Sequence, residues 1–379
     1  MPKTIKIGSR IIGENHPCFI IVEAGVNHVL LDHDDLKKCG VKSALEVAFK
    51  MVDAARGAGA DAIKFQSFST ESVIFNTTKK PQYQVNNVGN DKKISYFDLI
   101  KKLETSREDQ IKIADYCRKK DILFFSTPYD NESADFLDEE INIPIFKLAS
   151  IELNNHLFLR HVAGKGKPII LSTGLGNIDD VRAAVEIARK KGFANRMVLL
   201  QCTSDYPTKP QDINLNVIKS YMKEFPDILI GFSDHSRSFT ASIGAVALGA
   251  VVIEKHFTLD KTFKGPDHSS SLDKKELVEW ISRIRELEAS MGSYEKKITS
   301  GEKRNESMRK YIVMTPQKKG TIIKENMLKS MRTGKGILPV DKNLKKIAGK
   351  SLKINVDELA PLSWEMIGEG EIKNKDGAK

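Results

Sequence analysis

What most restricts this chain is an alternation that runs through its first 300 residues. A short apolar, β-branched run ends in polar residues or glycine and is followed by a segment with apolar residues at helical spacing. The unit occurs eight times, with strands expected at residues 18–27, 61–68, 122–128, 145–150, 168–174, 197–204, 228–235 and 251–260. Between them lie helices such as 43–58, where Leu45, Phe49 and Val52 share a face, and 107–120. The last helix, 273–291, stacks Leu277, Ile281, Ile284 and Leu287, with Asp273 and Glu276 placed as a capping box. Near-continuous apolar strands alternating with helices imply a parallel sheet covered by helices, and eight such units close into a (β/α)8 barrel. The alternative, an open doubly wound sheet, wants a glycine-rich phosphate turn after the first strand, where Ala24-Gly25-Val26-Asn27-His28 stands instead. The class expected is therefore α/β, a TIM barrel over residues 1–291.

Two stretches break the rhythm. Residues 28–42 make a long charged connection after the first strand, and 69–106 form a polar excursion after the second. Loops at the C-terminal ends of barrel strands usually form the rim of a site. After the eighth helix a polar linker, 292–307, leads to a small β-rich domain over 308–368. Its strands are expected at 311–314, 321–323 and 352–354, with turns at Lys319-Gly320 and Gly334-Lys335-Gly336. Residues 369–379 read as a frayed tail.

Composition narrows the function classes. With 40% hydrophobic and 29% charged residues in 379, the chain is an ordinary globular protein. Its apolar runs fall far short of a membrane span, and the N-terminus lacks the apolar core of a signal peptide, so a cytoplasmic protein without a membrane partner is expected. Cys18, Cys39, Cys117 and Cys202 show no CxxC or ribbon spacing and read as free thiols. Most of the net charge of +10 falls after residue 300, but the lysines there are scattered and no nucleic-acid-binding motif accompanies them. No nucleic-acid partner is expected.

The polar residues gather at strand ends, where barrel enzymes keep their active sites. They include Glu23, Asn27 and His28; Lys64 and Gln66; Ser126, Thr127 and Asp130; Lys147, Ser150 and Glu152; Ser172 and Thr173; Thr203, Ser204 and Tyr206; Ser233, Asp234 and His235; and Glu254, Lys255 and His256. Lys64 and Lys147 stand inside apolar runs, and a buried ammonium is costly unless an anion meets it. Two of them beside serines suggest an anionic ligand, the alternative being internal pairs with Glu23 or Glu254. His235 and His256 occupy corresponding positions on adjacent strands and would suit a divalent cation, although spacing alone leaves a hydrogen-bonded pair equally open. Asp267 lies in a turn after the eighth strand. Arg332, in a glycine-flanked turn, reads by itself as a solvated arginine.

Eight ordered motifs, EAGVNH (23–28), GADAIKFQSF (59–68), FSTPYD (125–130), FKLASIELNN (146–155), ILSTGLG (170–176), CTSDYP (202–207), GFSDHS (231–236) and VIEKHFTLD with GPDH (252–260, 265–268), resemble the sialic acid synthase family. Residues 311–367 are similar to the small antifreeze-like (SAF, β-clip) domain of those synthases, with RTGKG at its turn. The resemblance implies condensation of phosphoenolpyruvate with the aldehyde of an N-acyl amino sugar, giving a nine-carbon 2-keto acid and phosphate. By the same resemblance, Lys64, Thr127, Lys147, Ser150, Ser172, Ser204 and Ser233 cradle phosphoenolpyruvate. His235 and His256 hold a divalent metal, Mn2+ or Mg2+. Gln66, Tyr206 and Asp267 face the sugar, and Glu23 and Glu152 are catalytic carboxylates, with Glu152 the first choice as general acid and base. Arg332 is implied to reach the sugar's acyl group in a partner subunit's barrel, which makes the protein a domain-swapped homodimer. The acceptor is N-acetylmannosamine or a 2,4-diacetamido-2,4,6-trideoxymannose. Other readings are a synthase using a phosphorylated sugar, which would want a further cationic cluster, and a noncatalytic polyanion-binding or sugar-binding protein, which would lack filled strand ends. The chain departs from the family's usual NHNG after the first strand: Asn27-His28-Val29-Leu30 runs into an added stretch through Lys42.

Overall fold

A computed structural model describes residues 3–8, 10–81, 84–85, 95–303 and 308–370. Parts of the 69–106 excursion, the linker and the expected tail lie outside these residues. The chain divides into two compact units, residues 1–292 and 293–379.

The first unit opens with an antiparallel hairpin, β1 (Thr4–Ile7) and β2 (Arg10–Gly13). Eight parallel strands follow: β3 (Phe19–Gly25), β4 (Ala62–Ser67), β5 (Leu123–Pro128), β6 (Phe146–Leu148), β7 (Ile169–Ser172), β8 (Met197–Cys202), β9 (Leu229–Asp234) and β10 (Val252–His256). Their order is β5-β4-β3-β10-β9-β8-β7-β6, so the first and last barrel strands pair and the sheet rolls into a nearly closed barrel. The seam falls where β5 packs beside β6, which is only three residues long.

Parity along the strands explains both the core and the site. Outward residues such as Ile20, Val22, Ile63, Phe65, Ile230 and Ile253 pack beneath the helices in one large cluster. Inward residues form a second cluster, with Phe19, Ile21, Ala62, Phe125, Ile145, Ile170, Val198, Leu200, Leu229 and Val252 filling the lower barrel. Ile5, Ile7 and Ile12 of the hairpin join that inner cluster and close the barrel floor. The sequence reading assigns no element before residue 18, so this hairpin is an addition to it. Gly231 is required by the same layer, because a Cβ there would lie 2.5 Å from the Val252 carbonyl and 2.6 Å from Leu200.

The helices follow their caps. Ser43 caps the helix Ala44–Ala58, and Gly59 ends it at φ 87. Its buried stripe is Val47, Ala48, Met51, Val52 and Ala55, whereas Leu45 and Phe49 are only partly buried. The helix Lys274–Met291 carries the Asp273/Glu276 capping box and buries Leu277, Ile281 and Ile284, with Trp280 added to that face.

The second unit holds two small antiparallel sheets. One pairs β11 (Arg309–Val313) with β12 (Leu328–Arg332), the other β13 (Lys350–Leu352) with β14 (Ile367–Gly370). Val313, Ile323, Ile337, Ile347, Leu352, Val356 and Leu362 form its core. Residues 321–323, expected as a strand, contribute only an isolated bridge from Ile322 to Ser351. Arg332 is the last residue of β12 rather than part of the following turn.

Candidate active site

Two residues above the apolar plug, the inward positions turn polar on every strand. Glu23, Lys64, Thr127, Lys147, Ser172, Cys202, Ser233 and Glu254 form this layer, at the C-terminal ends of the strands. They line a cavity of about 510 Å³ together with Gln66, Ser150, Ser204, Tyr206, His235, His256 and Asp267. The 69–106 excursion supplies an apolar wall to the cavity, including Val73, Ile74, Tyr96 and Ile100.

Charge is concentrated at the base. Lys64 Nζ pairs with Glu23 Oε2 at 2.7 Å, lies 3.7 Å from Glu254 Oε2 and donates to Thr127 Oγ1 at 2.8 Å. Lys147 Nζ lies 3.6 Å from Glu254 Oε1 and donates to Ser172 Oγ at 2.8 Å. Ser233 Oγ donates to Glu254 Oε1 at 3.0 Å. Both lysines thus have internal carboxylate partners and still face the cavity. Burial would raise the Glu254 carboxyl, but Lys147 and Lys64 hold it down at about 2. Burial pushes Glu23 up to about 7, with Lys64 opposing and Glu254 adding to the rise. The two carboxyls are thus driven apart, Glu254 toward the ionised form and Glu23 toward the protonated one. Asp267 is pushed up to about 6 by burial.

The two imidazoles meet above this base with ring centroids 5.4 Å apart, and Tyr206 packs against both. His235 Nδ1 lies 2.8 Å from the Thr203 carbonyl, which makes Nδ1 a protonated nitrogen and turns Nε2 toward Ser233 Oγ at 3.5 Å. His256 Nδ1 is buried without a hydrogen-bond partner, 4.0 Å from Asp267 Oδ2. Burial, aided by the neighbouring His235 and Lys64, keeps His256 neutral. Burial would lower His235 as well, but Cys202 and the bond to the Thr203 carbonyl shift it upward. The neutral imidazole with an unsatisfied nitrogen, the donor a divalent cation takes, is therefore that of His256. Among the described residues no group of three or more His, Cys, Asp or Glu side chains is placed to hold a metal, so these two would need ligands from outside the protein.

Some expected residues do not converge. Glu152 lies on the short turn Ser150–Glu152, accepts a bond from Asn155 Nδ2 at 2.8 Å and is not on the cavity wall. Glu23 is on that wall. Arg332 belongs to the second unit. Asp234 and Lys255 face outward and pair with each other at 3.0 Å. Asn27 fastens the loop after β10 through the Phe257 carbonyl and Ser271. Two residues of the polar layer went unassigned in the sequence: Glu254, read only as a possible lysine partner, and Cys202, read as an isolated thiol. Each lies two residues before an assigned one, His256 and Ser204, and strand parity was the available signal.

A parallel barrel with a charged, polar mouth at the C-terminal ends of its strands defines an α/β-barrel enzyme. The NeuB family model matches residues 51–296. The chain is 35% identical over 365 residues to an N,N'-diacetyllegionaminic acid synthase of Legionella pneumophila, covering 94% of this chain and 96% of that one. It is also 35% identical over 364 residues to the N-acetylneuraminate-9-phosphate synthase of Homo sapiens, covering 94% and 95%. A crystal structure of the N-acetylneuraminic acid synthetase of Leptospira borgpetersenii, in complex with citrate, superposes with a TM-score of 0.66 at 32% identity, covering 80% of this chain and 95% of that one. The chain belongs to the NeuB family.

Proposed function

We propose that the chain condenses phosphoenolpyruvate with the open-chain aldehyde of an N-acyl amino sugar to give a nine-carbon 2-keto acid and inorganic phosphate. The observation that carries this reading is the pair of buried ammonium groups, Lys64 and Lys147. They sit on one cavity wall among the hydroxyls of Thr127, Ser150, Ser172, Ser204 and Ser233, directly below two imidazoles.

These cations and hydroxyls hold the carboxylate and phosphate of the enol ester in a site sheltered from water, where fixed dipoles act strongly. Carbon 3 of the enolpyruvate bonds to the aldehyde carbon, whose oxygen takes a proton. Water adds to the cationic carbon 2 and gives up a proton. The carbon–oxygen bond to phosphate then breaks as the new carbon-2 hydroxyl passes its proton to the leaving phosphate, which leaves the ketone and inorganic phosphate. Glu23, titrating near 7 on the cavity wall, accepts and returns the proton given up by the water. Glu254 opposes the loss of charge that burial imposes on both lysines. It is outweighed at Lys147, whose ammonium is shifted down, but prevails together with Glu23 at Lys64. A divalent cation, Mn2+ or Mg2+, would be held by His235 and His256 and would supply Lewis acidity toward the aldehyde oxygen. Gln66, Tyr206 and Asp267 face the sugar. Arg332, in a C-terminal unit we read as antifreeze-like, completes that subsite from the partner of a homodimer. The acceptor is N-acetylmannosamine or its 2,4-diacetamido-6-deoxy relative. A relative named for a diacetyllegionaminic acid product agrees with the latter, and one of equal identity named for a 9-phosphate product is the reason a phosphorylated acceptor belongs in the test.

The test is incubation with phosphoenolpyruvate, Mn2+ and a panel of N-acyl hexosamines, phosphorylated ones included, with phosphate release and product mass as readouts. A nine-carbon product from an unphosphorylated acceptor is expected. Release of phosphate without a new carbon–carbon bond overturns the reading. In His235→Ala condensation is lost while the unfolding temperature stays near wild type, and unchanged turnover removes the metal role.

A further inference from the structure

The stretch that sets this chain apart after its first barrel strand folds into a small helix, His33–Cys39, capped by Asp32 and ended by Gly40 at φ 63. Leu36 and Cys39 of that helix rest on the barrel's outer core. Its other contacts reach the loop that follows β10. Asp35, buried at 4% exposure, accepts a bond from the Lys264 backbone N–H at 3.4 Å and another from Lys38 Nζ at 2.9 Å. Asp32 pairs with Lys264 Nζ at 3.0 Å. Lys38 Nζ lies 6.0 Å over the ring of Phe263, and that ring stands edge-on to His268 at 5.7 Å.

Between Phe263 and His268 stand Pro266 and Asp267, both on the cavity wall. The base of this loop is held elsewhere, by Asn27 on Phe257 and Ser271 and by the bridge of Phe257 with Leu272. Lys261 is fastened to Glu276. The segment 263–265, which leads directly into Asp267, is the part that the added helix grips.

We infer that the helix His33–Cys39 is a brace that positions the Asp267 loop, with Asp35 as its positioning residue, and so sets the fit of the acceptor sugar rather than of phosphoenolpyruvate. The inference rests on the assignment of Asp267 to the sugar side. The phosphoenolpyruvate groups lie on other strands, so loosening the loop leaves them in place. Asp35 is the buried member of the contact and joins the loop's backbone at 3.4 Å to Lys38 at 2.9 Å, whereas the exposed Lys264–Asp32 pair contributes little on its own.

Steady-state kinetics of Asp35→Ala should show the acceptor KM rising about tenfold, while the KM for phosphoenolpyruvate stays within about twofold. Asp35→Glu should restore most of the difference. Amide hydrogen exchange at residues 263–268 should quicken in Asp35→Ala with the barrel strands unchanged. An unaltered acceptor KM in a folded variant, or an equal rise in both KM values, overturns the brace. If Asp35→Ala does not fold, Asp32→Ala should show a smaller change of the same kind, and unchanged exchange at 263–268 overturns the inference there too. The exchange readout needs no turnover. Should the wild-type chain condense nothing, the proposed function fails by itself and exchange alone decides the brace.

Discussion

His28 is buried at 1% exposure, with Nε2 at 2.8 Å from Thr105 Oγ1 and its ring edge-on to Phe65. Burial pushes its imidazole down to about 4. The unfolded imidazole titrates near 6.5, so on acidification the unfolded chain takes up the proton first. The stability tied to this residue is complete above about pH 6.5 and drains away as the pH falls toward 4. Between pH 7 and 5 that amounts to about 2 kcal/mol. His28→Gln should be less stable than wild type at pH 7 yet lose less stability at pH 5, as read by urea midpoints at the two values, and parallel losses would contradict this assignment. The residues legible in the sequence were those in conflict with their surroundings. Lys64 and Lys147 stood out because an ammonium in an apolar run demands a partner. Glu254 did not, because Lys255 and His256 beside it make the whole stretch polar. Only the inward parity of 252, 254 and 256 separates the site carboxylate from Lys255, which turns to Asp234. Glu152 illustrates the converse, since a motif places a carboxylate near a site without fixing which neighbour its side chain takes.

Among the elements, the barrel strands were legible because burial on both faces makes them near-continuous apolar runs. The N-terminal hairpin was not. Its strands are four residues long, mix charged with apolar residues, and owe their place to contacts far along the chain. Ile7 and Ile12 are fully buried in the inner cluster, so the hairpin acts as the lid of the barrel floor, opposite the mouth. Ile7→Ala should cost about 3 kcal/mol of stability through lost burial and a residual cavity. Because the polar layer lies at the other end of the strands, kcat and both KM values at low temperature should stay near wild type. A denaturation curve alongside steady-state kinetics checks both halves, and a catalytic loss as large as the stability loss would show that floor and mouth are coupled. The helix 44–58 gives a smaller lesson. Its span was readable from Ser43 and Gly59, but the buried face is rotated toward Val47 and Met51, because small and linear side chains pack under it where Leu45 and Phe49 meet its edge.

At the scale of the molecule, one proposed site residue stands apart from the rest. The barrel carries the groups proposed for phosphoenolpyruvate, the imidazoles and most of the wall proposed for the sugar, whereas Arg332 ends a strand of a separate unit with its own core. The change from helical alternation to short strands and glycine turns made that unit visible in the sequence. The linker did not reveal which barrel the unit serves, because a polar connection leaves no apolar pattern to match against either. Function can decide it. Arg332→Ala alone should raise the acceptor KM and leave that for phosphoenolpyruvate unchanged, and His235→Ala alone should be inactive. If Arg332 serves the partner's barrel, a mixture refolded together contains hybrid dimers. In each of these the barrel with intact His235 receives Arg332 from the other chain. Random reassortment makes about half of the dimers hybrid with one good site each, so roughly a quarter of wild-type activity should return at low acceptor concentration. If Arg332 serves its own barrel, no chain in the mixture carries both residues and mixing restores nothing.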